Sequence, residues 1–215
     1  MPTVSVWSNV AIAVQSALAA SQVISGITKA NPGVATYVGT DPVNGDYIKV
    51  AAVGMSQVNG RIFRVANVNT GGNTLELEGE NTTDYDTFTS GSLEIVTFGT
   101  TLATATSVTA AGGDFNMIDT TTIHDDVRSE IPGVANTMTF NFENIWDVGD
   151  AGLVALLAAS DLKAQRAVRI TFANARKVLF CGYIGAKLMP GGSAQDKVTT
   201  PVVITMYGRP TYYST

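Results

Sequence analysis

The sequence predicts a mainly β protein: a β-sandwich with one flanking α-helix, together with an inserted small all-β module. Three observations carry this. Apolar runs of four to eight residues recur between Gly, Pro and Asn-Gly turn signals. One segment, beginning near Asp150, has the apolar spacing of a helix. The composition is 45% hydrophobic and 14% charged with 21 glycines, which favours strands joined by tight turns.

Near the amino terminus, Val4, Val6, Val10, Ile12 and Val14 alternate with Ser5, Asn9 and Ala13, the period of a strand. The alanines from 17 to 20 equally allow a short helix. Residues 1–21 carry no charge, which predicts burial, within the subunit or against a neighbour. From 22 to 97 the texture changes. "NPG" at 31–33 breaks the chain and "VNGD" at 43–46 signals a turn, while "YIKVAAV", "RIFRVANV", "TLELE" and "SLEIV" read as strands. The reading is a compact acidic module of five or six strands, with Glu76, Glu78, Glu80, Asp84 and Asp86 as a solvated strand face and weak cation binding as the alternative.

Beyond the module, "TTLATATSVTAAGG" is an extended stretch with a Gly-Gly stop, followed by a polar loop. Then Met138, Phe140 and Phe142 face one way and Thr137, Thr139, Asn141 and Glu143 the other. Asp147 or Asp150 is placed to cap a helix with Leu153, Leu156 and Leu157 on one stripe, ending between Asp161 and Ala164. Three strands finish the chain: "AVRITF", "KVLFCGYIGAKL" and "PVVITMYG". The last two are apolar on both faces, with Val178, Phe180 and Ile184 opposed by Leu179, Cys181 and Tyr183. Such strands must be covered twice. One helix covers only part of a sandwich, so the surplus face is expected to meet another subunit. Residues 1–21 and 98–215 thus make a discontinuous sandwich domain, and 22–97 the insert.

The net charge of −5 is unevenly spread: −4 over 22–97, −7 over 98–150 and +6 over 151–215. The acidic total argues against non-specific phosphate binding. The polarity suits head-to-tail contact between copies, or pairing within the chain. One cysteine, Cys181, makes no intrachain disulfide and fits a reducing compartment. The stretch "VAIAVQSALAASQVISG" is interrupted by Gln15, Ser16, Ser21 and Gln22 and lacks a basic start, so neither a membrane span nor a signal peptide is expected.

Candidate chemistry concentrates at His124-Asp125-Asp126, which holds the one histidine of the chain. A zinc or iron site needs three or four converging ligands, and neighbouring residues of an extended loop point apart. No nucleophile elbow accompanies the histidine. "DPVNGDY" at 41–47 lacks the acidic spacing of a calcium loop, and the Gly-Gly pairs at 71–72, 112–113 and 191–192 read as turns, not phosphate loops. No catalytic constellation, cofactor site or metal site is expected.

"IDTTTIHDDVRSEIPGV" followed by a Thr/Phe strand resembles the major tail tube proteins of long-tailed (siphovirus-like) bacteriophages, in which an "ID-T" element precedes a polar loop and an "IPG" turn. The stretch from "FENIWDVGDAGLVALLAASDL" to "TMYGRP" is similar to the family's order of strand, helix, hairpin, long loop, last strand and "GRP" ending. The resemblance covers about 98–210. Residues 22–97 fall outside it and resemble small β-modules of phage structural proteins. The resemblance implies a tail-tube β-sandwich whose copies form rings of six that stack head to tail, a conduit for genome exit. Implied partners are further copies of the chain, tape-measure and tail terminator or tip proteins. Genomic DNA would pass without specific binding, in a virion tail assembled in the host cytoplasm. Contacts between rings map to Asp119, His124, Asp125, Asp126, Arg128, Glu130 and Pro132, with Lys187, Lys197 or Arg209 as counterparts. A monomeric adhesin or carbohydrate-binding β-protein is the competing class. Low charge, two-sided apolar strands and the presence of just Trp7 and Trp146 as tryptophans count against it.

Overall fold

The computed structural model describes residues 4–187 and 189–214; Leu188, at the end of "KVLFCGYIGAKL", lies outside them. The strands are β1 (Ala11–Val14), β2 (Ala17–Leu18), β3 (Gln22–Ile27), β4 (Val34–Val38), β5 (Tyr47–Val53), β6 (Ile62–Asn69), β7 (Thr74–Leu77) and β8 (Ser90–Thr97). They continue with β9 (Thr100–Leu102), β10 (Ala105–Ala111), β11 (Phe115–Asp119), β12 (Glu130–Ala135), β13 (Thr139–Ile145), β14 (Gln165–Thr171), β15 (Lys177–Ala186) and β16 (Thr199–Tyr213). A single α-helix among the described residues, α1 (Ala151–Asp161), links β13 to β14. The mainly β architecture with one flanking helix matches the sequence reading.

Seven strands form an antiparallel sheet in the order β10-β13-β16-β15-β14-β1-β9. Alternation sends Ile12, Val14, Phe142, Val168, Ile170, Phe180, Val202 and Ile204 to one face, where Leu153, Leu156 and Ala159 of α1 complete a core. Asp150 acts twice at the start of the helix. Its Oδ1 accepts from the Leu153 N–H at 2.6 Å, a helix cap, and its Oδ2 accepts from the Ala103 N–H at 2.9 Å. The second bond holds the link between β9 and β10. Because all successive pairings are antiparallel, these two edge strands run in the same direction. They are two halves of one bent strand, the first paired with β1 and the second with β13. The sheet curls back towards itself.

The second sheet has the order β2-β8-β3-β4-β7-β6-β5, and β5 also pairs with β8. Strands β3 to β8 therefore close into a barrel, which removes their free edges. Tyr37, Phe63, Leu75, Leu77 and Leu93 fill it. The acidic strand face is not simply solvated. Glu78 pairs with Arg64 and Glu80 with Arg61, because the neighbouring strands β6 and β7 bring the chain around Arg61 beside the turn that follows Leu77. Arg61 is buried over the Phe63 ring, and a buried charge of this kind needs its carboxylate partner.

The two-sided apolar strands find their second cover inside the chain. Ala167, Leu179, Cys181 and Tyr213, on the face away from α1, pack with Ile62 and Val96 of the barrel, flanked by Tyr47 and Phe98. Arg169 lies over the rings of Tyr47 and Phe98 at 5.3 and 5.0 Å. Lys49 Nζ donates to Gln165 Oε1 at 2.9 Å, and the Arg64 N–H donates to the Tyr213 hydroxyl at 2.7 Å. Burial in this contact pushes the Tyr213 phenol up to about 12. The expectation that this face awaits another subunit is thus corrected: the module occupies it. Within one copy the uncharged amino-terminal stretch is only partly buried. Ile12 to Gln15 are buried, whereas 16–21 are exposed and Ala17–Leu18 add to the barrel as a strand, not a helix.

Close backbone approach fixes the docking. Gly208 has φ +80°, and a Cβ there would stand 2.7 Å from the Asn59 carbonyl oxygen of the module. Gly208→Ala is expected to cost about 1–3 kcal/mol of unfolding free energy in denaturant titration. Gly185→Ala, whose Cβ would meet its nearest atom at 3.6 Å, is expected to cost under about 0.5 kcal/mol. Equal costs would contradict the tight docking.

Candidate assembly surface

Strands β11 and β12 pair with each other and with no other strand among the described residues. They form an arm that leaves the sheet between β10 and β13. Gly112 and Gly113, both at positive φ, make the kink at its root, and a Cβ on Gly112 would stand 2.2 Å from the Thr137 carbonyl oxygen. Every residue from 109 to 132 is exposed. Among them Phe115, Met117, Ile118, Ile123, Val127 and Ile131 are large and apolar, and Ile123 is 97% exposed. A two-stranded hairpin is marginally stable at best in water, so this arm lacks the burial that ordinarily holds one in place.

The tip is acidic. Over 113–135, five carboxylates face one cation, Arg128. Arg128 bridges the two strands: Nε lies 3.3 Å from Asp119 Oδ2 and Nη2 lies 2.8 Å from Glu130 Oε1. Both pairs are solvent-exposed and weak. Asp125 Oδ2 accepts from the Thr122 N–H at 2.8 Å and from its hydroxyl at 2.9 Å, which holds the carboxyl below its usual range. The Thr121 hydroxyl and N–H, aided by Arg128, do the same for Asp119. These bonds order the turn at neutral pH.

The structure brings Asp119, His124, Asp125, Asp126, Arg128, Glu130 and Pro132 together on the arm. Pro132, expected in a turn, lies within β12 opposite Met117, because the hairpin continues through the "IPG" triplet. Arg209 sits at the arm's root, lining a hollow with Phe115, Ala135, Met138 and Tyr212. Lys187 and Lys197 do not join them. They flank the loop that leads into Thr199, which pairs with Ile145, while the arm joins the sheet at Thr139, opposite Thr205. Six residues of β16 separate the two levels, about 20 Å. Arm and lysines therefore lie at opposite ends of β13. The arm's strands were missed in the sequence because a Gly-Gly pair precedes β11 and Pro132-Gly133 interrupts β12. The Phe115/Met117 alternation was the available signal.

A second surface lies on the outward face of β10, β13 and β16, beside the docked module. The register sets Ser107 against Glu143 and Pro201, Thr109 against Asn141 and Val203, and Ala111 against Thr139 and Thr205. Glu143 is the one charge among these nine residues. Among the described residues no three His, Cys, Asp or Glu side chains converge to hold a metal ion, and no helix is long and apolar enough to cross a membrane.

Comparison with known families decides what this arrangement belongs to. The family described as phage tail tube protein, TTP, matches residues 53–215, about three quarters of the chain. The chain belongs to the phage tail tube protein family. No curated protein matches it. The match begins at the last residue of β5 and runs through β6, β7 and β8, so half of the module lies inside the family's span. That corrects the narrower resemblance, which began at 98. As a tail tube protein the chain is a structural component of the virion, and its family implies self-assembly into a tube.

Proposed function

We propose that copies of this tail tube protein close into rings, six to a ring as in the family it resembles, and that the rings stack into the conduit for genome ejection. The exposed apolar arm carries this reading. It is built as a surface for another copy to cover, and its position fits a stack. The acidic tip at one end and Lys187 and Lys197 at the other present unlike charges to successive rings, with Arg209 at the arm's root. Contacts that join different surfaces of identical copies generate rings where rotation closes and filaments where it does not.

A wall that passes DNA must not grip it, so the lumen is neutral to acidic, without a cluster of cations to neutralise phosphate. The module, residues 22–97, stands on the tube exterior as a decoration inserted into the sandwich of 1–21 and 98–215. Six modules in the lumen would block passage. Tape-measure and terminator or tip proteins would meet the same surfaces at the ends of the tube. Assembly takes place in the host cytoplasm. The adhesin reading survives for the module alone, whose exterior placement leaves it free to contact a host surface.

Two measurements test this. Asp125→Lys together with Asp126→Lys is expected to shorten tubes seen by negative-stain microscopy at least several-fold while leaving protomers folded; unchanged tube length would discredit the docking tip. In a Cys181→Ala background, a bulky polymer-linked maleimide is expected to label Val43→Cys in assembled tubes as fully as in free protomers. Loss of that labelling on assembly would remove the exterior placement of the module.

A further inference from the structure

The bend between β9 and β10 leaves a gap in the sheet. Below the bend the strand pairs with β1; above it β10 keeps β13 on one side and has no strand on the other. The opposite bank is the chain leading into β1, held by Trp7 against Phe172 with ring centres 5.2 Å apart. Between the banks lies a groove of about 460 Å³, lined by Trp7, Val10, Ile12, Leu102, Thr106 and Val108 among others. No charged residue occurs in 99–113 or in 1–28.

The edge of β10 is lightly guarded, with one register shift against β13, between Ala105 and Ser107. Natural proteins blunt free edges with lysine, proline, bulges or a covering loop, because an open row of N–H and C=O groups recruits strands. Seven residues of β10 contain no charge and no proline. The arm offers a matching edge. Its β12 contains Pro132, which lacks a donor, whereas β11, with sequence FNMID, has no proline to interrupt the N–H groups on its outer edge. Within one chain the two cannot readily meet: the arm leans over β16, where Phe115 and Ala135 share a hollow with Met206 and Tyr212, on the far side of β13 from the groove.

We propose that the groove takes β11 of a second copy, which pairs along β10 and continues the sheet from one subunit into the next. This deepens the reading of the arm as an assembly element and rests on it. Main-chain hydrogen bonds supply the affinity in such strand addition, and the exposed side chains of β11 gain cover from the uncharged banks. One five-residue strand, about 17 Å long, spans most of β10. The arm of each copy entering the groove of the next is a head-to-tail contact, which is the kind that closes into rings.

Hydrogen exchange on free protomers and assembled tubes tests the pairing, with cysteine cross-linking to identify the occupant. Amides of 105–111 that point away from β13 are expected to slow at least about tenfold on assembly, together with those of 115–119. In a Cys181→Ala background, Thr106→Cys or Ser107→Cys combined with Asn116→Cys or Met117→Cys is expected to give a ladder of linked copies on oxidation of tubes. Protection of 115–119 without protection of 105–111 overturns the groove and leaves the arm as an assembly element. Protection of neither segment overturns both. Protection of 105–111 with no ladder from any cysteine pair overturns β11 as the occupant.

Discussion

A sheet that is apolar on both faces governs this fold. Strands β14, β15 and the end of β16 send Val168, Ile170 and Phe180 to one side and Ala167, Leu179, Cys181 and Tyr213 to the other. Neither side tolerates water. The curl of the sheet and α1 shelter the first, and the barrel inserted between β1 and β9 shelters the second. The module is therefore part of the protein's stability and not an appendage on a loose linker. Its contact combines burial of Ile62 and Val96 with Arg169 over two aromatic rings and the hydroxyl of Tyr213 on a backbone amide.

With both sheet faces satisfied internally, the unmet needs of the chain move elsewhere. They collect on the arm, which exposes apolar side chains along its length, and on β10, whose outer edge pairs with no strand among the described residues and is guarded by a single register shift at Ala105–Ser107. On the proposed reading, a hairpin and an edge drive assembly of the tail tube, not large apolar faces. A small exposed area is easier to hold in solution than an open sheet face. On the same reading the acidic tip adds orientation, since like-charged arms repel and the lysines at the other end attract.

Much of this was legible in the residues. Asp150 with Leu153, Leu156 and Leu157 defined the helix, because a cap and an i, i+3, i+4 stripe are local signals. "YIKVAAV" is β5 to the residue, because alternation between turns is local as well. What covers Leu179 and Cys181 was not legible. Two-sided apolarity states that a cover exists and says nothing of its source; the source here lies more than eighty residues away in sequence, at Val96 and Ile62. Glu78 and Glu80 were read as solvated for the same reason, since Arg64 and Arg61 reach them from another part of the barrel. The candidate acids were found through a motif, but the strands that carry them were hidden by Gly112, Gly113, Pro132 and Gly133. The opposite placement of Lys187 and Lys197 followed only from the register of β16.

The central claim is that copies recognise one another through the arm while each chain folds without it. Replacing residues 114–135 by a short Gly-Ser turn joining Gly113 to Asn136 tests it directly, read by circular dichroism and negative-stain microscopy of the same sample. The expected result is a folded protomer, with a β spectrum and cooperative unfolding, that forms no tubes at any concentration reached. Tubes of ordinary length and diameter from the armless chain would contradict it.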